Sequence, residues 1–192
     1  MHIAIEGLDG VGKTTVATKV AAELDFTYIE KPLQYLFDND DSLRNYKNIT
    51  SKINSVDDGF MRMWFYAMGN IFLNNRNYGT NFITDRYFVS TFIHNQNEYS
   101  DEIMKVLIRK LHLPAFTVVL YAGKEERKRR MINRNPEDPD LFKLEDTEKM
   151  YLEIKQFLDK YGFNYIWVDT TDITIDEIVN IIITNVKVNN PF

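Results

Sequence analysis

Residues 5–15 of the chain, IEGLDGVGKTT, carry glycines, a lysine and hydroxyls at a spacing that can hold phosphate. Four of them satisfy G-x-x-x-x-G-K-[ST], the phosphate-binding loop. Glycines let the backbone curl with its N–H groups pointing inward, and the positive end of a following helix adds to the attraction for phosphate oxygens. The lysine can reach the β- and γ-phosphates, and the threonine hydroxyl can ligate Mg²⁺. The loop therefore predicts a site for a nucleoside triphosphate with its metal, formed by Gly7, Gly10, Val11, Gly12, Lys13, Thr14 and Thr15.

A second group of charged residues lies in ITDRYFVSTFIHNQ, at 83–96, after a strand-like stretch. In an open parallel sheet, ligands bind beyond the carboxyl ends of the strands, so Asp85 is a candidate for the metal shell beside the loop. Arg86 can offer a planar, bidentate fork to two phosphate oxygens. A plain Asp-Arg ion pair is the alternative, but the phosphate loop favours the functional interpretation.

A basic segment at 124–134 holds six Lys or Arg residues against two Glu residues. Such runs usually form a solvated helix face, and this alternative to a functional role applies mainly to the three basic residues at 127–129. Arg130 and Arg134 are four residues apart, so they would project from one side of a helix.

Composition excludes several classes of protein. The 192 residues are 44% hydrophobic and 27% charged, which is ordinary for a globular protein, and one domain at 1–192 is expected. The absence of cysteine excludes disulfides and thiolate metal sites. Neither a signal-like start nor an apolar run of about 18 residues is present, so we expect a cytoplasmic protein without a membrane segment. The net charge of −5 argues against binding to a nucleic acid polymer.

Short apolar, β-branched runs alternate with longer segments of helical period, the pattern of a parallel sheet covered by helices. Strands are predicted at 2–6, 26–30, 81–84, 116–121 and 163–168. Helices are predicted at 13–24, about 56–77, 87–96, 101–112, 124–133, 145–160 and 175–187. The polar stretch 31–55 is left unassigned. These elements predict an α/β fold with a five-stranded parallel sheet.

A phosphate loop is shared by GTPase switches, motors and transferases. A switch would need the guanine-reading N-K-x-D, and no Asn-Lys pair occurs in the sequence. A motor usually belongs to a larger chain. A small transferase is the class that remains.

The order and spacing of four stretches resemble the thymidylate kinase family of nucleoside monophosphate kinases. These stretches are IEGLDGVGKTT, DRYFVSTFIHN, LPAFTVVLYAG and ERKRRMINR, and the resemblance continues to NYIWVDTT and a final helix. It implies a P-loop NTPase fold, a three-layer α/β/α sandwich with a short helical lid at about 124–145. It also implies MgATP as donor, a small deoxynucleoside monophosphate acceptor with dTMP in first place, and a homodimer.

The resemblance assigns roles at matching positions. Asp9 would contact the sugar 3′-hydroxyl and help to organise the metal, and Lys13 would bridge the donor phosphates. Thr14 and Asp85 would ligate the metal. Arg86 would bind phosphate.

Further roles follow from the same resemblance. Phe65 would stack on the base. Arg130 and Arg134 match a lid that supplies arginine to the migrating phosphoryl group when the phosphate loop has none. The implied catalytic residues are Asp9, Lys13, Arg86, Arg130 and Arg134. The implied acceptor contacts are Asp9, Glu30, Phe65, Arg86, Ser90 and Asn95.

The sequence departs from the family pattern around the acceptor. The Arg-Glu-Pro after the second strand becomes Glu-Lys-Pro at 30–32, and the F-x-A-x-R of an aromatic helix ends in Gly69. Residues 94–95 are His-Asn where the family has Tyr-Gln. Arg62 and Arg76 lie seven residues on either side of Gly69 and so on roughly its face of the helix.

Glu30 keeps a second function open. In the related deoxynucleoside kinases, a carboxylate at this strand end takes the proton from a 5′-hydroxyl, because an alcohol acceptor needs a base and a monophosphate oxyanion does not. A third possibility is a protein that binds ATP without turnover, although nothing that the donor site needs is missing.

Overall fold

The computed structural model of the chain describes residues 1–40, 42–76 and 79–189. The strands are β1 His2–Gly7, β2 Thr27–Ile29, β3 Phe82–Asp85, β4 Phe116–Tyr121 and β5 Tyr165–Asp169. The helices are α1 Lys13–Leu24, α2 Gln34–Phe37, α3 Arg44–Asn54, α4 Gly59–Arg76, α5 Phe88–Ile93, α6 Ser100–Lys110, α7 Lys124–Arg134, α8 Thr147–Tyr161 and α9 Ile175–Asn189. A 3₁₀ helix, Pro139–Asp146, joins α7 to α8. None of the helices in these ranges has both the length and the apolar composition of a membrane span.

The five strands form one parallel sheet in the order β2-β3-β1-β4-β5. β1 lies between β3 and β4, with Ile5 opposite Asp85 and Gly7 opposite Leu120. The phosphate loop and the Asp85–Arg86 pair therefore leave the sheet at neighbouring carboxyl ends. In open α/β sheets the crevice at such an edge is where ligands bind.

Two apolar cores cover the two faces of the sheet, because successive strand residues point to opposite sides. On one face, Ala4 and Val119 pack with buried residues of α4, α5, α6 and α8. On the other face, Ile3 and Val118 pack with buried residues of α1 and α9. The expected three-layer α/β/α sandwich with a five-stranded parallel sheet is thus confirmed.

The predicted strands and helices are all present, with ends that differ by at most three residues. Residue 77, the last residue of the helix predicted at about 56–77, lies outside the described residues. The unassigned stretch 31–55 carries α2 and α3. Asp38 caps α3 from a distance in sequence, since its carboxylate accepts hydrogen bonds from the backbone N–H groups of Asn45, at 2.8 Å, and Tyr46, at 2.9 Å.

Candidate active site

The phosphate loop runs from the end of β1 to the start of α1. Gly7 has a φ of +134°, and a Cβ at this position would collide with the carbonyl oxygen of Leu120. Gly12, the N-cap of α1, has a φ of +92°. Both positions therefore require glycine. The turn presents the unpaired N–H groups at the start of α1 to the loop, which is the geometry of an anion site.

Lys13 is buried within this loop. Its Nζ donates a hydrogen bond to the Leu8 carbonyl oxygen at 2.7 Å and lies 3.8 Å from Oδ1 of Asp9. Burial lowers the pKa of Lys13 to about 8, repulsion from Arg86 adds to this effect, and nearby carboxylates, Asp9 first, oppose it. The ammonium group is therefore held inside the loop, where a polyphosphate would sit.

Thr14 and Asp85 form a pair that suits a divalent cation. The Thr14 hydroxyl donates a hydrogen bond to Oδ2 of Asp85 at 2.5 Å. Oδ1 of Asp85 is buried and has no hydrogen-bond partner in the described part of the chain. A buried carboxylate oxygen without a partner is costly, and a metal ion would satisfy it.

The residues present therefore fit Mg²⁺. Within the described ranges, no group of three or more acidic, His or Cys side chains could hold a metal ion. Mg²⁺ at this position would take Thr14 and Asp85 as protein ligands and complete its shell with phosphate oxygens and water, which is its usual coordination.

Arg86 and Asp9 form an ion pair at the edge of the loop. The Arg86 guanidinium also contacts Oγ of Ser90 at 3.3 Å and Nε2 of His94 at 3.4 Å. Burial alone raises the pKa of Asp9, but the charges of Arg86 and Lys13 outweigh burial and hold that pKa well below its usual range. The ion pair with Asp9 therefore fixes the direction of Arg86.

The backbone of Arg86 lies in the left-handed region, with a φ of +78°. This conformation is uncommon for a residue with a side chain, and such strain persists where the surrounding structure enforces it, often at functional sites. The backbone N–H of Arg86 donates to the Ile5 carbonyl oxygen at 3.0 Å, which ties the turn to the central strand.

Glu6 is a buried residue of this site that the sequence analysis did not single out. Its carboxylate accepts hydrogen bonds from the N–H groups of Tyr87 and Val89, at 2.8 and 3.0 Å, and from the Ser90 hydroxyl at 2.6 Å. Burial raises the pKa of Glu6, and the bonds from Ser90 and Tyr87 oppose this effect. Glu6 thus holds the start of α5, and with it Arg86. The signal that could have identified Glu6 from the sequence is an acidic residue inside an otherwise apolar strand.

A cavity of about 760 Å³ opens beside the ion pair. Its walls come from the phosphate loop, the segment after β2, the helices α3 and α4, the region from Asp85 through α5 to Asn95, and the 3₁₀ helix. Five of the six expected acceptor residues line it together: Asp9, Glu30, Arg86, Ser90 and Asn95.

Phe65, the sixth expected acceptor residue, is not in the cavity lining. Its ring is stacked on Phe37, with centroids 6.2 Å apart, and meets Tyr66 edge-on. Tyr66 lines the cavity instead, and its hydroxyl donates to Oδ1 of Asn54 at 2.8 Å. The helical repeat explains this arrangement, because each residue of α4 is rotated by about 100° from the next.

Arg127 is buried, so the alternative of a solvated residue is wrong at this position. Its Nε donates to the Asp9 carbonyl oxygen at 2.7 Å, and its guanidinium donates to the Thr147 hydroxyl at 2.6 Å. It therefore braces the phosphate loop from α7. Arg129 matches the expectation, since it is mostly exposed and pairs with Glu126.

The two lid arginines have different surroundings. Arg130 donates to the carbonyl oxygen of Thr170 at 2.6 Å and to its hydroxyl at 3.0 Å, and it pairs with Glu126. It also lies 3.4 Å from the Val11 carbonyl oxygen of the phosphate loop. Arg134 is mostly exposed and pairs with Asp138 at 2.5 Å. Neither arginine lines the cavity in this conformation.

The comparisons with known proteins agree with this geometry. The model of the thymidylate kinase family matches residues 5–182. A cytidylate kinase from Mycoplasmopsis synoviae (strain 53) is 25% identical to this chain over an alignment of 218 positions. The alignment covers 97% of this chain and 98% of that protein.

Two solved structures with the same fold have low sequence identity. Deoxyadenosine kinase from M. mycoides with bound dATP superposes with a TM-score of 0.68 and 18% identity, covering 97% of this chain and 100% of that chain. Thymidylate kinase from Candida albicans superposes with a TM-score of 0.68 and 19% identity, covering 98% of this chain and 91% of that chain.

Proposed function

Because the chain belongs to the thymidylate kinase family, we propose that it transfers the γ-phosphoryl group of MgATP to a deoxynucleoside monophosphate. It would act as a single kinase domain, residues 1–192. Among the monophosphates, dTMP is the acceptor that the family resemblance implies first. The relatives are named for cytidylate, deoxyadenosine and thymidylate, so their names agree on a nucleoside or nucleotide acceptor and not on its base.

One observation carries the proposal. A phosphate loop with a buried lysine meets an Asp9–Arg86 pair at the mouth of a cavity of about 760 Å³. Pockets for small ligands usually have volumes of about 300–1,000 Å³. A donor site for phosphate would thus adjoin a separate acceptor site with its own positive charge.

The donor would be held by the loop. Backbone N–H groups at the start of α1 and the Lys13 ammonium would bind the β- and γ-phosphates. Thr14 and Asp85 would hold Mg²⁺, which supplies positive charge to the phosphate oxygens when it is bound.

Arg86, held in place by Asp9, would orient the acceptor phosphate. An acceptor oxygen forms a bond to the γ-phosphorus while the bond from that phosphorus to the β–γ bridging oxygen breaks, which yields ADP and a nucleoside diphosphate. The acceptor oxygen is already an anion, so this transfer requires no base. Position and positive charge are the main demands on the protein.

The lid at 124–145 would complete the site. We assign the lid arginine that would reach the migrating phosphoryl group to Arg134, because this side chain is mostly exposed. Arg130 is fixed on Thr170 and beside the loop, which suits a contact to the donor nucleotide. A closing lid excludes water and so suppresses ATP hydrolysis.

A deoxynucleoside kinase is the second candidate. Glu30 lines the acceptor cavity beside Lys31, its ion-pair partner. A carboxylate at this position could accept the proton of a 5′-hydroxyl.

An acceptor panel tests the proposal. The purified protein is incubated with MgATP and with the four common deoxynucleosides and their 5′-monophosphates, and ADP formation is followed. Turnover with monophosphates is expected. Turnover with nucleosides alone would replace the proposal by the second candidate. Turnover with neither would contradict both and indicate a protein that only binds ATP.

We also propose a homodimer formed through the outer side of α4. Phe60, Met61, Trp64 and Tyr99 are exposed there, and the Phe60 ring lies 6.3 Å from Trp64 and 5.6 Å from Tyr99. A contiguous apolar patch of this kind is typical of an interface. Light scattering after gel filtration should show a dimer that Trp64→Glu converts to a monomer, with Val106→Glu, at an exposed apolar residue of α6, as the control. A monomeric parent protein would refute the dimer.

A further inference from the structure

Two amide side chains with low exposure form part of the acceptor cavity. Asn70 of α4 and Asn95, just after α5, both line it, and their exposed fractions are 5% and 3%. Buried amides must satisfy both their N–H and their C=O groups, so their orientation determines what they offer to a ligand.

Thr91 orients both amides. Its hydroxyl donates to the Tyr87 carbonyl oxygen at 3.0 Å, which uses its single hydrogen. The Thr91 oxygen can therefore only accept from Asn70, and it lies 3.1 Å from Nδ2 of that residue. The carbonyl oxygen of Thr91 likewise can only accept, and Nδ2 of Asn95 lies 2.8 Å from it.

Both amides thus direct an N–H group at the protein, and no hydrogen bond to either Oδ1 atom comes from the described residues. A carbonyl oxygen at a cavity wall is a hydrogen-bond acceptor for the ligand. Two such acceptors, from Asn70 and Asn95, belong to one network around Thr91.

Thr91 follows Ser90, and Asn95 follows His94, in the chain, and the Arg86 guanidinium contacts both Ser90 and His94. Successive residues of a helix point about 100° apart, so the amides belong to a part of the cavity wall next to the contacts of Arg86. We place the base of a nucleotide whose phosphate contacts Arg86 beside these amides.

The cavity-lining residues of α4 other than Asn70 are Gly69, Tyr66 and Arg62, and the Tyr66 hydroxyl donates to Oδ1 of Asn54. Gly69, the neighbour of Asn70 in the cavity wall, has no side chain, and its position packs against Leu33 and Pro32. Arg62 also lines the cavity, but it precedes Asn70 by eight residues, about 12 Å along α4. Its guanidinium donates to the Val56 carbonyl oxygen at 2.5 Å.

We infer that the acceptor site selects a base with an exocyclic amino group beside a ring nitrogen, as in cytosine and adenine, over thymine. The two N–H groups of such an amino substituent match the two carbonyl acceptors of Asn70 and Asn95. Thymine has a carbonyl oxygen at that position, which would face the acceptors and leave them unpaired. Sites built around hydrogen bonds reject an analogue that lacks them, because buried polar groups lose their partners.

The inference rests on the proposed function only in placing a nucleotide base in the cavity. The test measures kcat/KM for dCMP, dAMP, dTMP and dGMP, and for the four nucleosides, with the unmodified protein. We expect dCMP or dAMP to exceed dTMP by at least about tenfold. Equal or better use of dTMP would overturn the inference and leave the kinase proposal standing.

The two proposals fail in distinguishable ways. Activity on deoxycytidine or deoxyadenosine, with no monophosphate used, would overturn the proposed acceptor and support the inferred base. If no acceptor is turned over, calorimetry with dCMP, dAMP and dTMP still measures the base preference. Equal affinities would then overturn the inference.

Variants separate recognition from folding. Asn70→Ala and Asn95→Ala should reduce the preference over dTMP by about tenfold, and this ratio does not depend on the fraction of folded enzyme. Asn185→Ala is the matched control, since its Nδ2 also donates to a carbonyl oxygen four residues earlier, that of Ile181, on the exposed side of α9. A preference that both cavity variants retain would contradict the inference.

Discussion

The Thr14 hydroxyl donates a hydrogen bond to Oδ2 of Asp85, which is 71 residues away in the chain. The parallel register produces this contact, because Ile5 of β1 lies opposite Asp85 of β3. Oδ1 of Asp85 is buried without a partner in the described ranges. One carboxylate therefore positions the loop threonine with one oxygen and offers the other to a cation.

Asp85→Asn should weaken the dependence of turnover on Mg²⁺. An amide is a poorer ligand than a carboxylate. Changes at residues that only support metal ligands typically cost about 10- to 100-fold in affinity or activity, so a change at the ligand itself should cost at least as much. The measurement is the rate at fixed ATP over a Mg²⁺ titration. Asp176→Asn is the control, because Asp176 is exposed on α9 and pairs with Lys19. An unchanged half-saturating Mg²⁺ concentration would exclude Asp85 from the metal shell.

Arg86→Ala should lower kcat/KM by at least about 30-fold, which corresponds to about 2 kcal/mol, the scale of a charge-assisted contact. The loss should appear at saturating ATP and limiting acceptor. Arg76→Ala is the control, because the Arg76 guanidinium lies 3.8 Å from the Tyr35 ring centroid and does not line the cavity. A decrease in melting temperature with unchanged kcat/KM would reduce the Asp9–Arg86 pair to a structural ion pair.

Glu30→Gln distinguishes the two kinase functions. With a monophosphate acceptor the carboxylate has no proton to remove, so kcat should fall by less than about tenfold. A fall of several orders of magnitude with little change in KM would instead assign Glu30 as the base for a 5′-hydroxyl. Glu23→Gln, at an exposed position of α1, controls for the loss of one negative charge.

His2 should make the stability of the fold depend on pH. Its ring is partly buried, with Nε2 2.9 Å from the Thr84 hydroxyl and the ring stacked on Phe82. Burial, with a smaller effect from the terminal ammonium group, lowers the pKa of His2 to about 3 from 6.5. The unfolded chain therefore binds a proton between these values and the folded chain does not, so stability falls as the pH falls below about 6.5.

Urea unfolding measures this effect. Between about pH 7.5 and about pH 5.5, His2 should account for a loss of about 1.4 kcal/mol in the free energy of unfolding. His2→Leu should remove that part of the pH dependence, whereas His112→Gln, at an exposed position, should retain it. An equal pH dependence in the His2 variant and the parent protein would refute a His2 imidazole that stays neutral in the folded protein.

Several features of the site depend on contacts that no local pattern reveals. Arg127 belongs to a basic run that suggests a solvated helix face, yet it reaches the Asp9 backbone 118 residues away. Asp38 lies six residues before the first residue of α3 and yet accepts hydrogen bonds from its first turn, so this cap lies outside the local capping positions. This explains why the stretch 31–55 could not be assigned. Phe65 and Tyr66 are adjacent aromatic residues, and the rotation of α4 alone determines which of them faces the cavity.

The sequence by itself determined the phosphate loop, the α/β fold and the family of this chain. These features depend on short-range spacing, on the backbone freedom of glycine and on the periodicity of apolar residues, all of which can be read within a few turns of chain. Only the tertiary structure decided that Glu6 holds the start of α5, that Thr14 meets Asp85 and that Thr91 orients two amides. Each of these contacts joins distant segments or depends on the rotation of a helix, and packing of the whole sheet and its helices sets both.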